Sequence, residues 1–529
     1  MNFTASDYPL NFLSEKLINI AWGKENTHLY PFTGTGSHIA SVENNIRNFF
    51  DNSKRNELYN ILLNQNKGID LTPKQLENIE LLLQENTFTV TTGQQIHVGL
   101  GPMYVWNKIE SVLNTVAVLK SENQACNYVP VFWMATEDHD FEEIKDVNLF
   151  GEKYTWETNQ KGPVGNFETS ELKSVFEAIK LKFSNNLEAL SRLQIIEDIY
   201  LKEQISLSTA TRKLVQFIYG EKGLLVLDPN DVHFKAMSRN LWKQDILKRS
   251  VYPAFIEQNN KLQQADYSTP AYAREINCFY IDKRQRERID YSNEKFNLVD
   301  SKREFTQDEM EQLIENSPEY ISPNVLLRPL YQQSILPNVV YIGGPAEFAY
   351  WMQCAKAFEV CNIPAPRIQL RFSSIYIAPV VLKKLDKLNL TTDDLWRPWP
   401  DVESLLIQKH EETFTLDANI DILTESFDKV RQSLYEIKSP QLKDIKKQQE
   451  EMLKGLRKIS VEFKNSAENN SQLSKDLITA KSIKNEYFDV QNAQERRLFW
   501  LELYLNGVLG DLQIPELDYF VFVELKGGK

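Results

Sequence analysis

The sequence predicts an α/β protein built on an open, largely parallel sheet, with a separate helical arm towards its C-terminal end. Three observations predict this. Thr87 to Glu143 runs from an apolar β-type stretch through a Gly/Gln-rich bend and an amphipathic helix to a second apolar run, the pattern of one βαβ unit. Ser322 to Trp351 repeats the design, with a short apolar strand leading into Gly343, Gly344 and Pro345. From about Thr415 to Glu486 the chain is rich in helix formers, with apolar residues recurring at helical spacing.

Taken in order, the residues before about Asn86 read as mainly helical. Thr72 followed by Pro73 is an N-cap with proline at the first helical position. Nearer the N-terminus, HLYPFTGTGSHIA carries Gly34 and Gly36 but lacks a preceding strong strand and a following GK[ST] element, so it reads as a surface bend.

In the central unit, Phe88 to Thr92 should form the first strand, and Gly93 permits a tight exit from it. Gln94 and Gln95 then fall at the strand end, where their amides can both donate and accept. Gly99 and Gly101 would let backbone approach a ligand, and Pro102 can start the next helix, whose N–H groups suit a carboxylate or phosphate. Val105, Ile109, Val112, Leu113 and Val116 supply its buried face. Val129 to Met134 is nearly continuous in apolar residues, as in a sheet covered on both sides.

Glu137, Asp138, His139 and Asp140 follow at the edge where open α/β sheets bind ligands. His139 can take a proton from an amine or thiol while a carboxylate fixes its tautomer, and Asp138 and Asp140 can hold a divalent ion or orient polar groups. An ion-paired turn is the structural alternative.

Beyond Gly151 come a turn-rich NQKGPVG segment, charged helices to Gly220, and the short strand GLLVLDP, which leaves Asp228 at its end as a ligand-orienting or capping residue. Residues 270 to 295 read as an antiparallel insertion. Arg284, Arg286 and Arg288 alternate there, more consistent with a solvated hairpin than with a ligand contact. Arg328 can clamp a carboxylate or tie two elements together. Gly343, Gly344 and Glu347 form a second glycine-rich helix entry.

In the arm, Ile420, Phe427, Val430, Met452 and Ile459 belong to a packing stripe, Pro440 ends the first run, and Asn465 to Asn470 should bend the second. A helical hairpin able to support a homodimer fits this pattern. Arg496 to Leu505 should return to the main body.

Composition narrows the function classes. A chain of 529 residues needs more than one substructure, and a net charge of −13 argues against general nucleic-acid or anionic-membrane binding. Cys126, Cys278, Cys354 and Cys361 show no CxxC spacing, so they supply neither a disulfide framework nor a structural zinc signal; Cys354 and Cys361 could lie two turns apart on one helix. The N-terminal residues lack the basic and apolar segments of a secretory signal, and no long apolar span follows, which makes the cytoplasm the expected location.

In order and combination, TTGQQIHVGLGPMY, PVFWMATEDHDFEEI, GLLVLDP and SPNVLLRPLYQQSILP through IGGPAEFAYW resemble the bacillithiol-biosynthesis cysteine ligase family over almost the full length. The resemblance implies a Rossmann-like core with connecting-peptide inserts and an α-helical coiled-coil domain that supports a homodimer. The corresponding divisions are 1–375 for the core with its inserts, 376–485 for the arm and 486–529 for the returning C-terminal helices. It also implies amide formation between L-cysteine and glucosaminyl malate.

The motif match carries Gln94, Gln95, Glu137, Asp138, His139, Asp140, Arg328 and Glu347 as site candidates. His97 stands where the family pattern often has glycine, which weighs against a general catalytic role for it. Amide formation from a free carboxylate needs activation, for which ATP or another activating nucleotide with Mg2+ is a hypothesis; the chain lacks a Walker A loop. Nucleotidyl or glycosyl transfer on the same sheet edge, and a nonenzymatic dimeric scaffold, remain the competing classes.

Overall fold

The structure, a computed structural model, describes residues 2–6, 39–409, 414–436, 442–468, 471–488, 493–509 and 522–526. The bend at Gly34 and Gly36 and the break at Pro440 lie outside them. Two compact units are present: Met1–Ile375 with Glu495–Leu525, and Tyr376–Gln494 with Lys526–Lys529. No helix among the described residues is long and apolar enough to cross a membrane.

The first unit is organised by a five-stranded parallel sheet. Its strands are β1 (Thr87–Gln94), β2 (Asn127–Met134), β3 (Leu225–Leu227), β4 (Asn338–Gly343) and β5 (Arg367–Leu370), in the spatial order β5-β4-β1-β2-β3. Every residue of β1 up to Gly93 is buried, and so is β2 from Tyr128 on, because helices cover both faces. β1 and β2 pair without a register break from Thr87↔Asn127 to Gln94↔Met134. On the other side Thr92 of β1 faces Ile342 of β4.

This order is Rossmann-like: the chain builds outward from β1 through β2 and β3, then returns to the opposite side with β4 and β5. The switch therefore falls between β1 and β4, at whose carboxyl ends an open α/β sheet binds ligands.

Three helices deliver side chains to that edge. α1 (Met103–Glu122) links β1 to β2, α2 (Arg328–Ile335) precedes β4, and α3 (Pro345–Gln353) follows it. Before β1, the helix Pro73–Leu81 begins at an N-cap Thr72 whose side chain accepts from Gln75 N–H, while the Gln75 side chain returns the bond.

The long connection from β3 to β4 contains an antiparallel five-stranded sheet that includes Cys278–Ile281, Arg286–Ser292 and Ile321–Pro323. All four cysteines are free and buried. Cys354 separates α3 from the next helix, Ala355–Val360, so it does not share one helix with Cys361.

The second unit is helical. Phe414–Glu436 and Leu442–Glu468 pack together, and Ser471–Tyr487 follows. Within the expected bend at Asn465 to Asn470 the second helix ends at Glu468 and the next begins at Ser471, while Asn469 and Asn470 lie outside the described residues. The apolar stripe is also less covered than its period suggests. Val430, Met452 and Ile459 are exposed within the chain, whereas Ile420, Leu473, Ala480 and Ile483 are buried.

Candidate active site

The site begins at the end of β1, where two adjacent glutamines serve different neighbours. Gln94 Oε1 accepts from Lys108 Nζ at 2.7 Å, and the same ammonium donates to the Gly93 carbonyl at 2.9 Å. Lys108 lies on α1, 3% exposed, and completes its set with the Glu347 carboxylate of α3 at 2.5 Å. One lysine thus joins the ends of β1 and β4 across the switch point.

Glu347 is held from three directions. Its Oε1 accepts from Tyr341 Oη at 2.6 Å and its Oε2 from the Gly344 amide at 2.9 Å, in addition to Lys108. Burial pushes its pKa up, but Lys108 and these donors outweigh burial and keep the carboxyl below its ordinary range. Burial moves Lys108 the other way, lowering its pKa, with Glu347 opposing that shift.

Arg328 approaches the same place from α2. It donates to Tyr341 Oη at 3.1 Å and to Gln332 Oε1 at 3.1 Å, and its guanidinium lies 5.2 Å from the Tyr341 ring centre. Tyr341 therefore links Arg328 to Glu347.

Gln95 turns towards the acidic loop after β2. Its Nε2 donates to Asp138 Oδ2 at 2.7 Å, while Asp138 Oδ1 accepts from the His139 amide at 2.8 Å and the Asp140 amide at 3.3 Å. Burial alone would raise the Asp138 pKa; Gln95, Arg286 and these amides reverse it and keep the group ionised.

His139 is half exposed, and its Nδ1 lies 3.4 Å from Arg286 Nη1. Arg286 is itself fixed by Ser322 Oγ at 3.0 Å, by the Pro323 carbonyl at 2.7 Å and by the face of Phe279. With a guanidinium donating to Nδ1, the ring proton belongs on Nε2. Burial, then Arg286, lowers the His139 pKa despite Asp138, Asp140 and Asp300, so the ring is neutral at pH 7.

A protein with this strand order and these charged groups at its switch point can be placed by comparison. Residues 17–372 match the family described as "Bacillithiol biosynthesis BshC, N-terminal Rossmann-like domain". The chain belongs to the BshC family. It is 36% identical to a BshC of Flavobacterium johnsoniae, covering 88% of this chain and 87% of the relative. It is 33% identical to one of Flavobacterium psychrophilum over 91% and 90% of the two chains. A BshC of Cytophaga hutchinsonii is 34% identical over 69% and 68%. All three relatives are named as candidate cysteine ligases.

Within this BshC chain, Gln94, Arg328, Gly343, Gly344 and Glu347 gather around Lys108, while Gln95, Asp138 and His139 form the neighbouring group with Arg286. Glu137 turns inward and pairs with the buried Lys235, which also donates to the Ile321 carbonyl. Asp140 is exposed and contributes its amide.

Gly101 is buried behind this edge. Its φ of +80° and the 2.6 Å that would separate a Cβ from His97 Cβ both require glycine, and its carbonyl accepts from Trp500 N–H. His97 is buried too, and burial pushes its pKa down to about 4. Asp228 is saturated by Thr136 Oγ1 at 2.5 Å, Ser208 Oγ at 2.6 Å and the Asn230 amide at 3.0 Å.

Three charged residues that matter here are not among the sequence candidates. Lys108 had a readable signal, a lysine on the buried face marked by Val105, Ile109 and Val112. Arg286, which the hairpin pattern assigns to solvent, instead packs on Phe279 against His139. Arg371, just after β5, is 4% exposed and pairs with Glu495 through contacts of 2.6 and 2.8 Å. Among the described residues, no three His, Cys, Asp or Glu side chains group as a metal site.

Proposed function

We propose that this BshC-family chain is a cysteine ligase that joins the carboxyl of L-cysteine to the amine of glucosaminyl malate, giving the amide of bacillithiol. The observation that carries the reading is the convergence of Gln94, Lys108 and Glu347 across the β1/β4 switch point, with Gln95 and Asp138 beside them. Such a convergence at the carboxyl ends of parallel strands is where an α/β enzyme binds its ligands.

In this reading Lys108 holds Gln94 in one orientation, and Gln95, donating to Asp138, keeps its carbonyl to accept from the incoming amine. Attack of that amine on an activated cysteinyl carbonyl forms the C–N bond and builds charge on the carbonyl oxygen. His139, neutral and protonated on Nε2, is suited to donate to that oxygen. This changes its expected role from base to donor. The amine's proton passes to the oxygen of the departing activating moiety, which a co-reactant such as a nucleotide with Mg2+ has to supply. A helical arm with exposed Val430, Met452 and Ile459 supports a homodimer as part of the same reading.

The test is to incubate the purified full chain with L-cysteine, glucosaminyl malate and each candidate activating nucleotide with Mg2+, and to read product mass. A product with the mass of the cysteinyl amide supports the proposal. Its absence with every donor defeats direct ligation by this chain, and a nucleotidyl or glycosyl adduct would replace it with a transfer reaction.

A further inference from the structure

The start of α3 has a feature that the pairing of Glu347 does not use. Its N-cap is Gly344, with φ −79° and ψ 174°, the extended backbone of an ordinary N-cap. A serine, threonine or aspartate there would send its side chain along the Cβ direction to accept from the first-turn amides. Glycine sends nothing. Only one half of the reciprocal cap exists, the Glu347 carboxylate accepting from Gly344 N–H. Pro345 has no N–H, so the amides of Ala346 and Glu347 are the donors that the helix itself leaves over.

The space that a Gly344 Cβ would fill is bordered by a second donor. Arg371 Nε lies 3.7 Å from that position. It is buried and has no acceptor among the described residues, although both terminal nitrogens of the same guanidinium are engaged by Glu495. A buried N–H without an acceptor is costly, and this one borders the Gly344 position at the positive end of a helix dipole, where the nearest other atom, Glu347 Oε2 at 3.5 Å, is already held by Lys108 and Gly344 N–H.

The local charges agree. Lys108, Arg328 and Arg371 face Glu347 and Glu495, leaving one excess positive charge, and the Glu347 carboxylate is already neutralised by Lys108.

We infer that Gly344, the first-turn amides of α3 and Arg371 Nε form an oxyanion subsite that takes a carboxylate of the acceptor substrate. The inference rests on the proposed ligase reading, in which the acceptor's malate moiety supplies such a group. A carboxylate suits a cradle of one guanidinium N–H and two amides better than a polyphosphate chain, which glycine-rich loops bind with longer runs of amides and a lysine.

Gly344→Ser tests it with little risk to the fold. The backbone angles suit serine, and an added Cβ meets Glu347 Oε2 at 3.5 Å and Arg371 Nε at 3.7 Å, ordinary contact distances. The serine hydroxyl would cap the first-turn amides itself. Calorimetric titrations of the full chain with L-malate, glucosaminyl malate and ATP with Mg2+ would be run on wild type and variant, with Tm measured for both.

The expected result is that Gly344→Ser keeps or raises Tm, weakens L-malate and glucosaminyl malate at least tenfold, and leaves ATP unchanged. Equal affinities of the two proteins for glucosaminyl malate would overturn the subsite while leaving the ligase reading intact. Selective loss of ATP affinity would reassign the cradle to a nucleotide phosphate. Failure of wild type to bind glucosaminyl malate at all would instead sink the ligase reading and the subsite with it.

Discussion

Lys108 is the residue on which the edge of the sheet depends, because its charge is buried and its three acceptors come from the β1 end and α3. Lys108→Met removes the cation but leaves the Glu347 carboxylate in place, and breaking a buried pair from one side costs about 3–5 kcal/mol. Denaturant melts should show that loss together with loss of turnover; a stable Lys108→Met protein would mean that Glu347 is neutralised by other groups.

The pH dependence has a definite direction. Because the folded-state pKa of Glu347 is depressed, its stabilisation is complete above the ordinary carboxylate pKa and disappears as pH falls through the depressed value. Glu347→Gln should therefore be less stable than wild type at pH 7, with the difference shrinking in acid.

Arg286 makes a prediction of another kind. Arg286→Gln removes a cation that lowers the His139 pKa, so the His139 titration followed by NMR should move upward. An unmoved titration would show that the guanidinium does not face the ring. His139→Ala should keep Tm and reduce kcat by about 10²–10³, the usual scale for one oxyanion donor.

The glutamines and the acidic turn were legible from the sequence because they sit directly after apolar strands. Lys108 and Arg371 were not singled out, since a charge becomes buried and paired only when distant elements meet: Glu347 is far from Lys108 in the chain, and Glu495 is 124 residues from Arg371.

Among elements, the strands were readable where both faces are covered, as continuous apolar runs around Val90 and Val131. Strand order was not, because the long insertion between β3 and β4 hides the return to the other side of β1.

The C-terminal helices belong to the core for a physical reason. Glu495 accepts from Arg371 and from Asn107 of α1, while Trp500 N–H donates to the Gly101 carbonyl, so this segment ties α1 to the residues after β5. Glu495→Ala should destabilise by about 3–5 kcal/mol by stranding Arg371. It should also speed amide hydrogen exchange in residues 103–111; unchanged exchange there would separate the C-terminal segment from the support of α1.

At the scale of the whole molecule, the proposed assembly and the proposed chemistry reside in different units and can be tested apart. Val430 and Ile459 of the arm are 50% and 53% exposed. Light scattering should give wild type twice the 61.6 kDa chain mass and give Val430→Glu/Ile459→Glu the single mass. A wild type that is already monomeric would remove the arm as a dimer contact without touching the switch-point site.

That site is tested most directly by a structure of the full chain soaked with glucosaminyl malate. Ligand density is expected at the carboxyl ends of β1 and β4, within hydrogen-bond distance of Gln94 or Gln95 and beside Gly344. Well-ordered ligand held only by the antiparallel insert or by the helical arm, with the β1/β4 edge unchanged, would contradict it.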